Sequence, residues 1–287
     1  MSRIAYVNGR YVPHRDAMVH IEDRGYQFSD GVYEVIGVAS GRVIDEEPHW
    51  DRLDRSLGEL NMAWPMSRAA LRLIVREVLR QNGVRDGMVY IQVTRGVAPR
   101  DHAFPKNAPA ALVVTARRSR PASREAQNKG VTVITIPDIR WKRCDIKTVG
   151  LLPNVLGKQR AHESGAFEAW MVNDEGFVTE GTSTNAWIVT KDGELVTRQT
   201  DTTILPGITR ASLVALVRDE GLRLVERPFT PEEAKAAKEA FITSTTSYVM
   251  PVVKIDGHAI GDGTPGPVTR RLQDWYRNYA AGPGAAA

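Results

Sequence analysis

Cysteine is nearly absent: Cys144 is the only one in 287 residues, so no internal disulfide is possible and a reducing, cytoplasmic location is expected. No apolar run approaches the ~20 residues that a spanning helix needs. None of signal length follows Met1-Ser2-Arg3, so no membrane partner is expected. Neither G-x-G-x-x-G nor G-x-x-x-x-G-K-[ST] occurs, which removes local support for dinucleotide or P-loop nucleotide binding. The net charge is +4, yet Lys and Arg are scattered with no dense basic tract. Nucleic acid is therefore not an expected partner. No metal is expected. There is no internal repeat, and the one low-complexity stretch is the Ala/Gly tail from 280 to 287, expected to be disordered.

What is present is an ordinary globular chain, 42% hydrophobic and 25% charged. Its length suits one large domain or two modest ones. Asn8-Gly9 between Ile4-Ala5-Tyr6-Val7 and Arg10-Tyr11-Val12 predicts a hairpin. Strands are expected at 32–38, 42–44, 88–95, 110–116, 131–136, 167–172, 185–190 and 194–197. One helix carries Trp50, Leu53, Leu57 and Leu60 on a single face, and another runs from a Ser67 cap to Asn82-Gly83. Further helices are expected near 154–163, 209–220, 231–238 and 267–279. The polar stretch 117–128 is the best domain boundary, giving a smaller domain 1–120 and a larger one 121–287. Strands and helices mix without strict alternation, which predicts an α+β fold of mixed sheets flanked by helices.

Five stretches carry candidate chemistry. Arg100 and His102 lie two apart in an interstrand loop, so in extended chain they face one way and suit a carboxylate, although spacing alone favours a solvated loop. Lys147, between Ile146 and an apolar run, is either a desolvated, nucleophilic amine or a snorkelling one. Glu180 precedes Gly181-Thr182-Ser183-Thr184-Asn185, a polar lining or an ordinary turn. Leu205-Pro206-Gly207-Ile208-Thr209-Arg210 opens a helix, either as a phosphate site or with Thr209 as a plain cap. Thr243-Ser244-Thr245-Thr246-Ser247 offers hydroxyls to a phosphate, or forms a surface turn.

Together, in order, these stretches resemble the fold-type IV pyridoxal-phosphate (PLP) enzymes. The most specific pieces are Asp30-Gly31-Val32-Tyr33-Glu34-Val35, Cys144-Asp145-Ile146-Lys147, Asn154-Val155-Leu156, Glu180 to Asn185, and Leu205 to Arg210. The resemblance implies a two-domain homodimer with PLP between the domains. It makes Lys147 the amine that holds the cofactor and moves the proton, and Glu180 the acid on the pyridine nitrogen. Arg52, Ile208, Thr209 and Thr245 would hold the phosphate, and Leu205 would pack on the ring. Arg100 and His102, with Tyr33, resemble the carboxylate trap of D-amino-acid transaminases. The expected activity is ping-pong transfer from a D-amino acid, by default D-alanine, to a 2-oxo acid, by default 2-oxoglutarate. Branched-chain or (R)-amine transaminases and aminodeoxychorismate lyases share the same cofactor residues.

Overall fold

The computed structural model describes residues 3–118 and 124–282. The chain divides into two compact units: Met1–Arg120 with Ile146–Gly150, and Pro121–Asp145 with Leu151–Ala287.

The first unit begins with strands β1 (Ile4–Val7) and β2 (Arg10–Pro13), paired through Val7 and Arg10 around the Asn8-Gly9 turn. Both turn residues have positive φ, 45° and 94°, the conformation that favours Asn-Gly. Next come helix α1 (Arg24–Phe28), β3 (Gly31–Ala39), β4 (Arg42–Val43), α2 (Glu46–Glu59) and α3 (Arg68–Asn82). Strands β5 (Gly87–Thr94) and β6 (Ala111–Arg118) complete a six-stranded antiparallel sheet ordered β2-β1-β6-β5-β3-β4. α3 shows why the helices form. The Ser67 side chain accepts from Ala70 N–H, Gly83 closes the helix in the left-handed region, and Leu71, Val75 and Val78 are buried between. These residues, with Trp50, Leu53 and Leu57 of α2, pack on Val32, Ile36, Ile91 and Val114 of the sheet.

The second unit holds α4 (Arg124–Lys129), β7 (Val131–Pro137), α5 (Leu152–Glu163), β8 (Glu168–Val172), β9 (Val178–Gly181), β10 (Asn185–Val189) and β11 (Leu195–Thr197). It continues through α6 (Ile208–Asp219), β12 (Leu224–Glu226), α7 (Pro231–Ala236), β13 (Glu239–Ser244), β14 (Tyr248–Ile255), β15 (His258–Ala259) and α8 (Pro267–Ala281). Its mixed sheet is ordered β12-β11-β10-β13-β14-β7-β8-β9, with β15 beside β14. β10 is buried along its whole length, the pattern of a strand covered on both faces. The fold is thus α+β, one sheet antiparallel and one mixed.

Several features differ from the sequence expectation. The segment 146–150, which follows residue 120 in the chain, joins the first unit because its backbone pairs with the start of β3: Tyr33 N–H donates to Lys147 O at 3.0 Å and Val149 N–H to Gly31 O at 3.1 Å. β14 was not expected, since Pro251 interrupts its pattern; it pairs all the same with Phe241 of β13. α8 extends to Ala281, so the tail expected to be disordered from 280 begins inside a helix; 283–287 lie outside the described residues. Of the expected boundary stretch, 124–128 is helical and 119–123 also lies outside them. Among the described residues no helix is long and apolar enough to cross a membrane, and no group of three or more His, Cys, Asp or Glu could hold a metal ion.

Candidate active site

In the first unit, Lys147 is fixed by the backbone pairing just described and by the isolated bridge between Val32 and Thr148. Gly31 is required at the strand start, because a Cβ there would stand 2.8 Å from Val93 O. The half-buried Lys147 ammonium lies 4.3 Å from the centroid of the Tyr33 ring. Tyr33 is stacked on Tyr90 at 5.6 Å and 29°. Tyr90 donates to Gln92 at 2.7 Å, and burial pushes its phenol up to about 12. Lys147 and Tyr33, far apart in sequence, are thus brought together.

Arg52 stands on the buried face of α2, where Nε and a terminal nitrogen each donate to Glu34 at 2.8 Å. His49 Nδ1 meets the same carboxylate at 2.7 Å. Burial alone would raise Glu34; the Arg52 charge and its bidentate bonds, then His49, outweigh it and hold the carboxyl at about 2. Burial also lowers His49.

Arg100 and His102 are exposed, on the loop between β5 and β6. Both reach the Phe28 ring: the Arg100 guanidinium carbon lies 4.5 Å from its centroid, and the His102 ring is 5.4 Å away. Both side chains thus lie against one ring.

In the second unit, Glu180, next to last in β9, is buried. It accepts a short bond from Arg140, and bonds of 3.1 Å from Leu205 N–H and from Asn185 Nδ2. Arg140 also forks onto Asp138, with Nε–Oδ1 at 2.9 Å and Nη2–Oδ2 at 2.7 Å. Burial pushes Glu180 up to about 7 against the pull of Arg140. The hydroxyls after Glu180 do not line its surroundings. Thr182, Ser183 and Thr184 turn to the buried carboxylate of Glu168, Ser183 Oγ at 3.1 Å.

Leu205 and α6 follow directly. Asn185 Nδ2 donates to Leu205 O at 3.1 Å, and a Cβ on Gly207 would collide with Asn185 Oδ1. Gly207, not Thr209, is the N-cap of α6, and no side chain caps the helix. The leading N–H groups at Ile208 and Thr209 thus begin a helix whose dipole favours an anion. Both residues are buried, and Tyr276 donates to Thr209 Oγ1 at 3.5 Å. Thr245 is half-buried in the turn between β13 and β14, where Ser247 N–H donates to Ser244 Oγ at 3.0 Å.

The amino-transferase class IV model matches residues 31–255. The chain belongs to the class IV aminotransferase family. It is 44% identical over 272 residues to the D-alanine aminotransferase of Bacillus licheniformis, covering 94% of this chain and 95% of that protein. It is 40% identical over 274 residues to the D-alanine aminotransferase of Staphylococcus haemolyticus, covering 96% of each. The T.th. branched-chain amino acid aminotransferase, solved with pyridoxamine 5'-phosphate, superposes with a TM-score of 0.90 at 27% identity, over 99% of this chain and 97% of that one.

Sequence reasoning missed several groups in this aminotransferase. Glu34 was present in a quoted motif but had no assigned role, and His49 was not singled out. Arg140 was overlooked altogether, although Asp138-x-Arg140 after a strand is a readable ion-pair spacing. Asn185, the last residue of a quoted motif, is the clasp between Glu180 and Leu205.

Proposed function

We propose that this aminotransferase uses PLP to move the amino group of D-amino acids, D-alanine by default, to 2-oxo acids such as 2-oxoglutarate. The observation that carries the reading is the convergence of Arg100 and His102 on Phe28, in the unit that also holds the Lys147–Tyr33 pair. The curated D-alanine aminotransferases similar over most of the chain support it.

The donor chemistry fits PLP. An α6 start without a side-chain cap suits a phosphate, as do the Arg52 guanidinium and the Thr245 hydroxyl. A buried carboxyl near 7 suits a basic ring nitrogen, and Leu205 offers an apolar side chain to a ring face. When bound, PLP supplies an aldehyde for the amino group and a ring that accepts the electrons of the Cα–H bond. Lys147 Nζ would take the proton from the substrate Cα and pass it to the bound cofactor within the same half-reaction, and would carry it the opposite way in the second half. Glu180 would pair with the ring nitrogen and keep it protonated, with Arg140 fixing the carboxylate. Arg100, His102 and Tyr33 orient the substrate carboxylate so that a D-amino acid presents its Cα–H to Lys147. D-Alanine leaves as its 2-oxo acid before the acceptor enters, a ping-pong order. A homodimer in the cytoplasm completes the reading, on the family resemblance.

The test is a panel of D- and L-amino acids against the yellow holoenzyme, read by the cofactor's visible absorbance. Bleaching by D-alanine and not by L-leucine is expected; bleaching by L-leucine alone overturns the reading in favour of a branched-chain enzyme. Lys147→Ala should abolish steady-state transamination, and near-normal turnover in that variant refutes its role.

A further inference from the structure

The loop that carries Arg100 and His102 runs from Arg95 to Ala110 without a helix or ladder strand of its own. Such a loop samples many conformations unless something holds it, at an ordering cost of about 1–2 kcal/mol per residue. The holding group is Arg24. It opens α1 and is 3% exposed. Its backbone N–H donates to Gly96 O at 2.9 Å, at the base of the loop. Its side chain crosses to the middle: Nη1 donates to Asp101 O at 2.6 Å and Nη2 to His102 O at 3.4 Å. Its Nε donates to Asp30 at 2.8 Å. The same guanidinium lies 4.8 Å from the Phe28 ring on which Arg100 and His102 converge.

The surroundings make this clamp rigid. Asp30 is shared with Arg95, whose Nε donates to it at 2.7 Å and whose Nη2 donates to Leu60 O at 2.7 Å. Burial opposes the Asp30 charge, and bonds to Arg95 and Arg24 overcome it and lower its pKa. Asp23 caps α1 through Gly25 N–H at 2.9 Å and accepts from Thr94 Oγ1 at 2.8 Å. Farther along the loop, the Phe104 ring lies 3.6 Å from the Arg95 guanidinium carbon. Arg24 therefore stands between a buried anion and the two carbonyls that follow Arg100.

We propose that Arg24 is a positioning residue of the carboxylate site: it fixes the backbone at 101 and 102, and through it the direction of Arg100 and His102, without touching the substrate. This rests on the reading of Arg100 and His102 as carboxylate donors. A guanidinium is required, because three separately directed donors reach Asp30 and two carbonyls, and an ammonium at Lys length cannot span them.

The test compares holoenzyme variants by the saturation constant for D-alanine in the colour half-reaction, with the bound-cofactor spectrum as control. Arg24→Lys should raise that constant roughly 10- to 100-fold, the effect of a ~1 Å misplacement of a binding group. The limiting rate should change far less, and the cofactor should stay bound with its spectrum unaltered. In an Arg100→Ala/His102→Ala background the same substitution should add nothing further, because there is no longer anything for it to position. An unaltered constant in Arg100→Ala/His102→Ala overturns the carboxylate reading and the clamp together. A raised constant there with an unaltered one in Arg24→Lys, or an additive effect in the triple variant, overturns the clamp alone. If Arg24→Lys does not fold, Arg24→Gln takes its place. Failure of both to fold overturns the proposal, since Arg24 then serves the fold and not the loop.

Discussion

Glu34 and Glu180 are both buried glutamates on an arginine, yet one carboxyl is held at about 2 and the other pushed up to about 7. Burial acts against the charge in each. The difference lies in how the arginine is used. Arg52 gives Glu34 two bonds and His49 adds a third. Arg140 gives Glu180 one nitrogen while its fork goes to Asp138, whose negative charge raises Glu180 further. A partner that turns its fork on the acid makes an anion that anchors structure. A divided one leaves a carboxyl near neutrality, where the presence of a second base decides where the proton sits. In the first unit Glu34 is held as an anion against Arg52; in the second Glu180 stays near neutrality.

The largest way to break this comparison is to remove the forked partner of Glu34. Arg52→Met leaves Glu34 buried with only His49, and severing a buried pair on one side typically costs about 3–5 kcal/mol. Urea unfolding of the cofactor-free protein should show a midpoint lowered to match. An unchanged midpoint would mean that the pair does not anchor α2 on the sheet.

Next in size is the pH dependence that separates the two acids. The ordinary glutamate value is 4.5. Glu180, at about 7, keeps a proton that the unfolded chain has released, so the folded state binds more protons over that interval. Stability of the cofactor-free protein should fall as pH rises from 4.5 to about 7, by roughly 3 kcal/mol for this group. Glu34 has the opposite sign: its contribution is present above 4.5 and is lost as pH falls toward 2. Glu180→Gln should flatten the upper interval and leave the lower one intact. In the holoenzyme the same variant should keep its cofactor while turnover falls roughly 100-fold. Unchanged turnover would mean that another group serves the ring nitrogen.

These two acids also mark how far the sequence could be read. α3 was legible to the residue because its cap, apolar spacing and closing glycine are all local. Lys147 and Glu180 stood out only through the order of several motifs, since each stretch alone also fits an ordinary turn or surface. The long-range pairings around the candidate residues were not legible. Arg140 meets Glu180 across 40 residues, and Arg24 meets Asp101 across 77. Such pairings depend on strand order, which no local spacing encodes. The return of 146–150 to the first unit is of the same kind: its backbone bonds go to β3, more than a hundred residues earlier.

The smallest effect is the sharpest test of the divided arginine. Asp138→Asn removes a charge that raises Glu180 and weakens the claim of Asp138 on the Arg140 fork. Both changes favour the Glu180 anion, so its pKa should drop from about 7, by up to roughly one unit. The upper end of the stability decline should move to lower pH by the same amount, read from unfolding midpoints across the pH range. Thr179 keeps its donation to Met171 O at 3.1 Å, and Arg140 keeps its bond to Thr203 O at 3.0 Å, so the local fold should survive the change. A midpoint that stays put would show that Asp138 does not set Glu180, and the contrast with Glu34 would then rest on the number of donors and not on a competing anion.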